Sequence, residues 1–207
     1  MKRRIALIAS MAVVGSMWMV GSQAGAQGGG GCQLDGTARF KPGLTGTPSN
    51  FTYSFTGTLS SCMADPGQSS PPTGGKVSAG SILRFGTERF REPAARGTNS
   101  SCEFGTTAGK AIVQWSNRKT TVVSYQTYAV TGGVVLQGST IPSIKLPAIA
   151  PKPGQPRFKI IKTTLYGGDN AGAVGLLTFS PDDPTDCAGT GVTSATISGF
   201  TGIGSAS

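Results

Sequence analysis

Four cysteines, Cys32, Cys62, Cys102 and Cys187, have the chemistry most tightly bounded by spacing; they follow one another at intervals of 30, 40 and 85 residues. A four-thiolate zinc site needs close cysteine pairs, and a redox-active pair needs close spacing or an exposed thiol of low pKa. Neither fits these intervals, so the cysteines read as two structural disulfides, which form and persist in oxidising compartments. The 207 residues contain no histidine. Ser-His-Asp and Cys-His arrangements are therefore excluded, as is any zinc site built on imidazole.

The remaining candidates are carboxylates and guanidinium groups. Asp182, Asp183 and Asp186, with Asp169, have the residue type for a calcium site or for an acid/base pair. Calcium takes about six to eight oxygens at defined spacing. Asp182-Asp183-Pro184-Thr185-Asp186 lacks the alternating pattern of a calcium loop and reads as a solvated turn. A glycosidase needs two carboxylates across a cleft, and no motif selects a pair among the nine acidic residues. No metal and no cofactor is expected. The strongest basic-aromatic cluster is Arg84, Arg89, Arg91 and Arg96 with Phe85 and Phe90, interleaved with Glu88 and Glu92. Lys145, Lys152, Arg157, Lys159 and Lys162 form a second basic region across a proline-rich stretch. Either is a candidate for binding an anionic envelope polymer or glycan.

The compartment follows from the first 26 residues. Lys2, Arg3 and Arg4 precede the apolar run Ile5 to Val20, and Ala24-Gly25-Ala26 follows it. That order of charged, apolar and small residues is a secretory signal peptide, and the apolar run is too short for a membrane-spanning helix. Residues 27–31 read as a glycine-rich leader and 32–207 as a single domain. Cleavage after Ala26 leaves 15 basic against 9 acidic side chains, a net charge of +6. An exported chain with this balance is expected to meet anionic surfaces, not nucleic acid.

The elements that must position these residues are strands. Leu34, Gly36, Ala38 and Phe40 alternate with polar residues, and Phe51, Tyr53, Phe55, Gly57 and Leu59 alternate with Thr and Ser. Period two marks strands with one buried face. Lys41 to Asn50, between them, carries Pro42, Gly43, Gly46 and Pro48 and reads as a loop. Lys76 to Phe85 alternates again as one strand, and Gly86 to Gly105 reads as a long loop. Lys110 to Trp115 and Thr120 to Val130 are strands joined by a turn at Asn117, a residue type that tolerates positive φ. Val134 to Ile141 is another strand, and the prolines from Pro142 to Pro156 predict an extended, exposed stretch outside any central strand. Arg157 to Tyr166, Val174 to Phe179 and Val192 to Phe200 alternate poorly, so their faces are undefined. No helical stripe occurs beyond the signal segment. About nine short strands separated by turn signals predict an all-β fold, an antiparallel β-sandwich or barrel, stapled by two disulfides.

Four cysteines allow three pairings. Cys32 opens the first strand and Cys62 follows the second, so a hairpin brings the two together and leaves Cys102 with Cys187. The parity of the hairpin is off by one for Cys32 and Cys62, which a bulge or a turn-out at Ser61 would correct. Linkage of Cys32 to Cys102 would contradict the hairpin.

The runs Cys32-Gln33-Leu34, Phe40-Lys41-Pro42-Gly43-Leu44-Thr45 and Phe51 to Cys62 resemble small secreted proteins of actinobacteria, as do Gly109 to Val123 and Val135-Leu136-Gln137-Gly138. The resemblance covers most of the chain after the signal segment and implies a secreted, disulfide-bearing β domain with no assigned activity. Segments 84–96 and 142–156 lie outside it. The expected function is a non-catalytic extracellular or envelope-associated binding or structural module. The alternatives are a histidine-free hydrolase using paired carboxylates, or an inhibitor presenting a loop stapled at Cys102.

Overall fold

A computed structural model describes residues 27–64, 72–130, 133–167 and 171–205. The expected signal segment and Asp169 lie outside these residues. The fold is a closed antiparallel β-barrel, so of the two architectures expected it is the barrel that forms. Its strands are β1 (Gln27–Leu44), β2 (Ser49–Ala64), β3 (Gly75–Ala79), β4 (Ile82–Phe85), β5 (Glu88–Arg91), β6 (Ala95–Ser100), β7 (Gly105–Trp115), β8 (Thr120–Val130), β9 (Gly133–Ile141), β10 (Ser143–Pro147), β11 (Phe158–Lys162), β12 (Ala171–Pro181) and β13 (Val192–Ser205).

The main sheet runs β1-β13-β12-β9-β8-β7-β3-β2, and pairing of β1 with β2 closes it. Strand β6 also lies between β2 and β7. Ala79 pairs with Phe55, and Ala95 re-enters opposite Tyr53, one pleat further along β2. Strands β3 and β6 are therefore one lane of the barrel, interrupted by the β4–β5 hairpin. With that lane counted once, the barrel has eight lanes that follow chain order, an up-and-down topology in which closure removes the exposed sheet edges.

Alternation on β1 and β2 is as expected. Leu34, Ala38, Phe51 and Leu59 are buried, and Thr52, Thr56 and Thr58 are exposed. Strands β1 and β2 pair in register from Gln33↔Ser60 to Lys41↔Thr52, then shift by one between Gly31 and Gln33. Ser61 lies in that shift with φ of 48°. This bulge corrects the parity and brings Cys32 and Cys62 into a disulfide with Cα atoms 4.1 Å apart. The second bridge joins Cys102 to Cys187. At the tip between β7 and β8, Arg118 takes the positive φ of 64°, while the Asn117 side chain accepts a hydrogen bond from the Lys119 N–H.

Several expectations are corrected. The glycine-rich stretch 27–31 is the start of β1, paired with β13. The supposed single strand 76–85 breaks at Gly80, where φ is 65°. The supposed loop 86–105 holds β5 and β6, because Gly86-Thr87 forms a two-residue hairpin turn with positive φ at Gly86. The proline-rich stretch is not wholly exposed. Its first part is β10, whose Ile144 and Leu146 are buried. That burial is a second core outside the barrel. Ile112 of β7 and Val122 of β8 point outward and pack against Phe90, Ile144, Leu146 and Ile161. The β4–β5 and β10–β11 hairpins thus cover one wall as an outer layer.

Candidate functional site

The inside of the barrel is not filled. Many inward positions are small: Ala38, Ala79, Ala111 and Ala173 line the space. Small inward residues withdraw side-chain volume where an eight-stranded barrel would otherwise be filled or would hold one small ligand. The result is a cavity of about 710 Å³. This lies within the range of small-molecule sites.

One end of the cavity is plugged. Trp115 packs edge-on to Tyr166, with centroids 5.3 Å apart, and its indole N–H donates to Thr121 Oγ1 at 2.8 Å. Thr121 donates in turn to the Leu165 carbonyl at 2.6 Å, which holds the segment after β11 beneath the barrel. The opposite rim is stapled. The Cys102–Cys187 bridge links the β6–β7 connection to the 3₁₀ turn Pro184–Ala188. The Cys102 N–H donates to the Thr45 carbonyl at 3.0 Å, and the Gly46 N–H donates to the Cys187 carbonyl at 2.9 Å. Phe104 lines the cavity here and is 49% exposed, so this rim is the mouth.

The walls are mostly apolar; Ser100, Ser101 and Thr201 also line them, and four further hydroxyls form a connected chain. Tyr125 Oη lies 2.7 Å from Tyr53 Oη, Tyr53 Oη lies 2.9 Å from Thr107 Oγ1, and Thr107 Oγ1 lies 2.7 Å from Thr127 Oγ1. Gly109 and Gly138 face Tyr125 from the two neighbouring strands, and a Cβ on Gly138 would stand 2.4 Å from the Ser124 carbonyl oxygen. Burial raises both phenols above the ordinary tyrosine range, Tyr125 further because Tyr53 and Glu92 lie near it. Both are neutral hydroxyls that donate and accept hydrogen bonds. Among the described residues, Glu103 at the rim is the one charged side chain lining the cavity.

A second buried polar group lies at the neck of the β4–β5 excursion. Glu92 is 1% exposed and accepts from Ser78 Oγ at 2.6 Å and from the Ser81 N–H at 2.8 Å. Its own N–H donates to the Ser81 carbonyl at 2.9 Å, so Glu92 clamps the point where the chain leaves the barrel to the point where it returns. Burial raises its pKa, and the two hydrogen bonds partly offset that. With the folded value above the unfolded one, the folded state binds more protons over the interval between them. The stability this carboxyl contributes is present below the unfolded value and is lost as pH rises through the folded one. Glu92→Gln can keep both contacts, since the Ser78 hydroxyl can accept from the new amide. The variant is expected to remove this fall, so that its denaturation midpoint gains on the parent's between about pH 4 and about pH 7. Parallel guanidinium titrations at the two pH values check this, and parallel pH profiles would refute it.

The structure separates the four candidate arginines. Arg84, Arg89 and Arg91 lie exposed on the β4–β5 hairpin, whereas Arg96 is on the barrel wall in β6, bordering a groove with Lys110. It also unites two regions that the sequence kept apart. Phe90 bridges to Ala148, and the Ile149 N–H donates to the Arg89 carbonyl at 2.8 Å, so the arginine hairpin adjoins the lysine-bearing β10–β11 hairpin. Asp182, Asp183 and Asp186 form the turn that their sequence suggests. Asp183 caps it, accepting from the Thr185 N–H and hydroxyl, which lowers its pKa, and Asp186 accepts from Thr190. No three His, Cys, Asp or Glu side chains among the described residues are grouped to hold a metal.

The hydroxyl chain was not among the sequence candidates. Tyr53 was placed correctly on an inward face, but Thr107 fell before the expected start of its strand at Lys110. The available signal was the series Thr107, Gly109, Ala111 and Val113, which continues the alternation backward with small residues. No family model, curated protein or solved structure matches the chain.

Proposed function

We propose that this chain is an exported, non-catalytic binding module that holds a small, neutral, largely apolar molecule inside its barrel. The observation that carries the reading is the cavity itself: mostly apolar walls, a connected line of four hydroxyls, and a rim fixed by a disulfide. Such a site suits a lipid-like body with a single hydroxyl or carbonyl head. A carboxylate head is disfavoured, because among the described residues no Lys or Arg lines the cavity and Glu103 stands at its mouth. The two disulfides support an oxidising compartment, which agrees with the signal-like start of the chain. Neutral phenols buried above their ordinary range do not favour catalysis by these groups.

The test is displacement of a naphthylamine-type fluorescent probe from the disulfide-bonded protein. Saturable, one-to-one probe binding is expected, with a long-chain alcohol competing better than the carboxylate of equal length. Tyr125→Phe keeps the ring and removes one hydroxyl. It is expected to weaken the alcohol about tenfold and leave an alkane unchanged. Failure of the probe to bind, or equal competition by alcohol, carboxylate and alkane, overturns the reading.

A further inference from the structure

The outer layer carries a pattern that the barrel does not use. In its hairpins one side chain of each successive pair points at the barrel wall and the other points out. Phe90, Ile144, Leu146 and Ile161 are the inward set and are buried. Arg84, Arg89, Arg91, Lys145 and Lys162 are exposed on the outward face. Arg84 and Arg89 pair directly across β4 and β5. Like charges directly opposite one another are destabilising, so this face carries a cost that the fold itself does not recover.

The charge is concentrated there. Segments 82–92 and 143–162 hold eight basic and two acidic residues, and one of the two, Glu92, is buried and turned inward. The rest of 27–207 holds seven basic and seven acidic residues, so the whole net charge of +6 falls on the outer layer. Among these cations stand three exposed apolar side chains: Ile82 at 42%, Phe158 at 46% and Ile160 at 51%. Lys145 Nζ lies 3.9 Å from the centre of the Phe158 ring, a cation held over an exposed aromatic.

We propose that this outer face docks on an anionic lipid surface. Charge alone would suit any polyanion. The exposed Phe158, Ile160 and Ile82 decide for lipid, because an interface of headgroups and acyl chains takes basic groups at the phosphates and apolar side chains below them. A hydrated polymer leaves most of the aliphatic surface of Ile82 and Ile160 in water. The face is already ordered by the core beneath it, so docking requires no folding step. The proposal stands apart from the occupant of the cavity.

The experiment is vesicle flotation with the disulfide-bonded chain from residue 27 onward, using phosphatidylcholine alone and equal parts phosphatidylcholine and phosphatidylglycerol. Binding to the second only, weakening as salt rises, is expected. Arg84→Ser, Arg89→Ser and Arg91→Ser together are expected to weaken it about a hundredfold, at roughly fivefold for each cation. Phe158→Ser with Ile160→Ser keeps every charge. It is expected to weaken vesicle binding about tenfold or more while leaving retention on a heparin column unchanged. All five positions are exposed, and unchanged near-ultraviolet circular dichroism verifies the fold of each variant. No binding to the anionic vesicles overturns the proposal. Vesicle binding indifferent to the Phe158 and Ile160 changes also overturns it, and makes the face a site for soluble polyanions.

Discussion

Replacing Cys102 and Cys187 together by serine is expected to lower the unfolding free energy by about 4 kcal/mol and the thermal midpoint by roughly 10 °C. The bridge closes a separation of 85 residues, against 30 for Cys32–Cys62, and loop-closure entropy makes the longer crosslink the more stabilising by roughly 1 kcal/mol. Against a total stability of about 5–15 kcal/mol, a loss of that size leaves the domain marginal. The bridge also acts locally. It joins the β6–β7 connection to the 3₁₀ turn, and backbone hydrogen bonds from Cys102 to Thr45 and from Gly46 to Cys187 draw the β1–β2 turn into the same knot. All three segments meet at the mouth of the cavity. The double serine variant should therefore show faster amide exchange at residues 44–47 and 101–105 under conditions where the barrel strands remain protected. Guanidinium denaturation of the oxidised parent, the Cys102/Cys187 variant and the Cys32/Cys62 variant gives the comparison. A smaller loss for the longer loop would show that strain or residual structure in the unfolded chain outweighs closure entropy here.

How much of this was legible in the sequence depends on what alternation can report. Along β1 and β2 the inward residues are apolar or small and the outward ones polar, so face and register followed directly, and the one-residue mismatch at Cys32 and Cys62 pointed to the bulge at Ser61. Along 76–85 the same signal misled. Val77 and Ala79 point into the barrel, whereas Leu83 and Phe85 point at the outside of its wall, yet all four are odd-numbered. The chain leaves the barrel at Gly80 without changing parity, so alternation carried no mark of the departure. On β12 and β13 the signal was weak for a different reason. Val174, Leu176 and Phe200 face outward and are 60%, 67% and 49% exposed, so apolar residues occupy both faces. The cavity depends on lane number and on the summed volume of inward side chains. Pattern reports neither; the run of inward Gly and Ala residues was the only trace of it. The two basic regions, far apart in sequence, became one face only through the long-range contact of Phe90 with Ala148.

Phe90→Ala is expected to cost about 3–5 kcal/mol, the range for removing a buried aromatic ring from a packed core. Phe90 is 1% exposed and sits at the junction of three parts: Ile112 and Val122 on the barrel wall, Ile144, Leu146 and Ile161 on β10 and β11, and Phe85 on its own hairpin, edge-on with ring centroids 5.9 Å apart. The ring is thus shared between the outer layer and the wall, while the barrel closes through strand pairings that do not involve it. The loss should fall unevenly. Amides of β4, β5, β10 and β11 should exchange fastest, by local opening that needs only the contacts of the unit that opens, while those of β1, β2 and β13, which exchange through global unfolding, stay the more protected. Function should divide in the same way: docking on anionic vesicles falls with the outer layer, and probe binding in the cavity persists. Phe90→Leu, which retains most of the apolar volume, should restore much of the protection and the docking. Exchange measured by mass spectrometry on the parent and both variants reads all of this. Equal protection in every strand would show that barrel and outer layer unfold as one unit, in which case the outer core is part of what keeps the barrel closed.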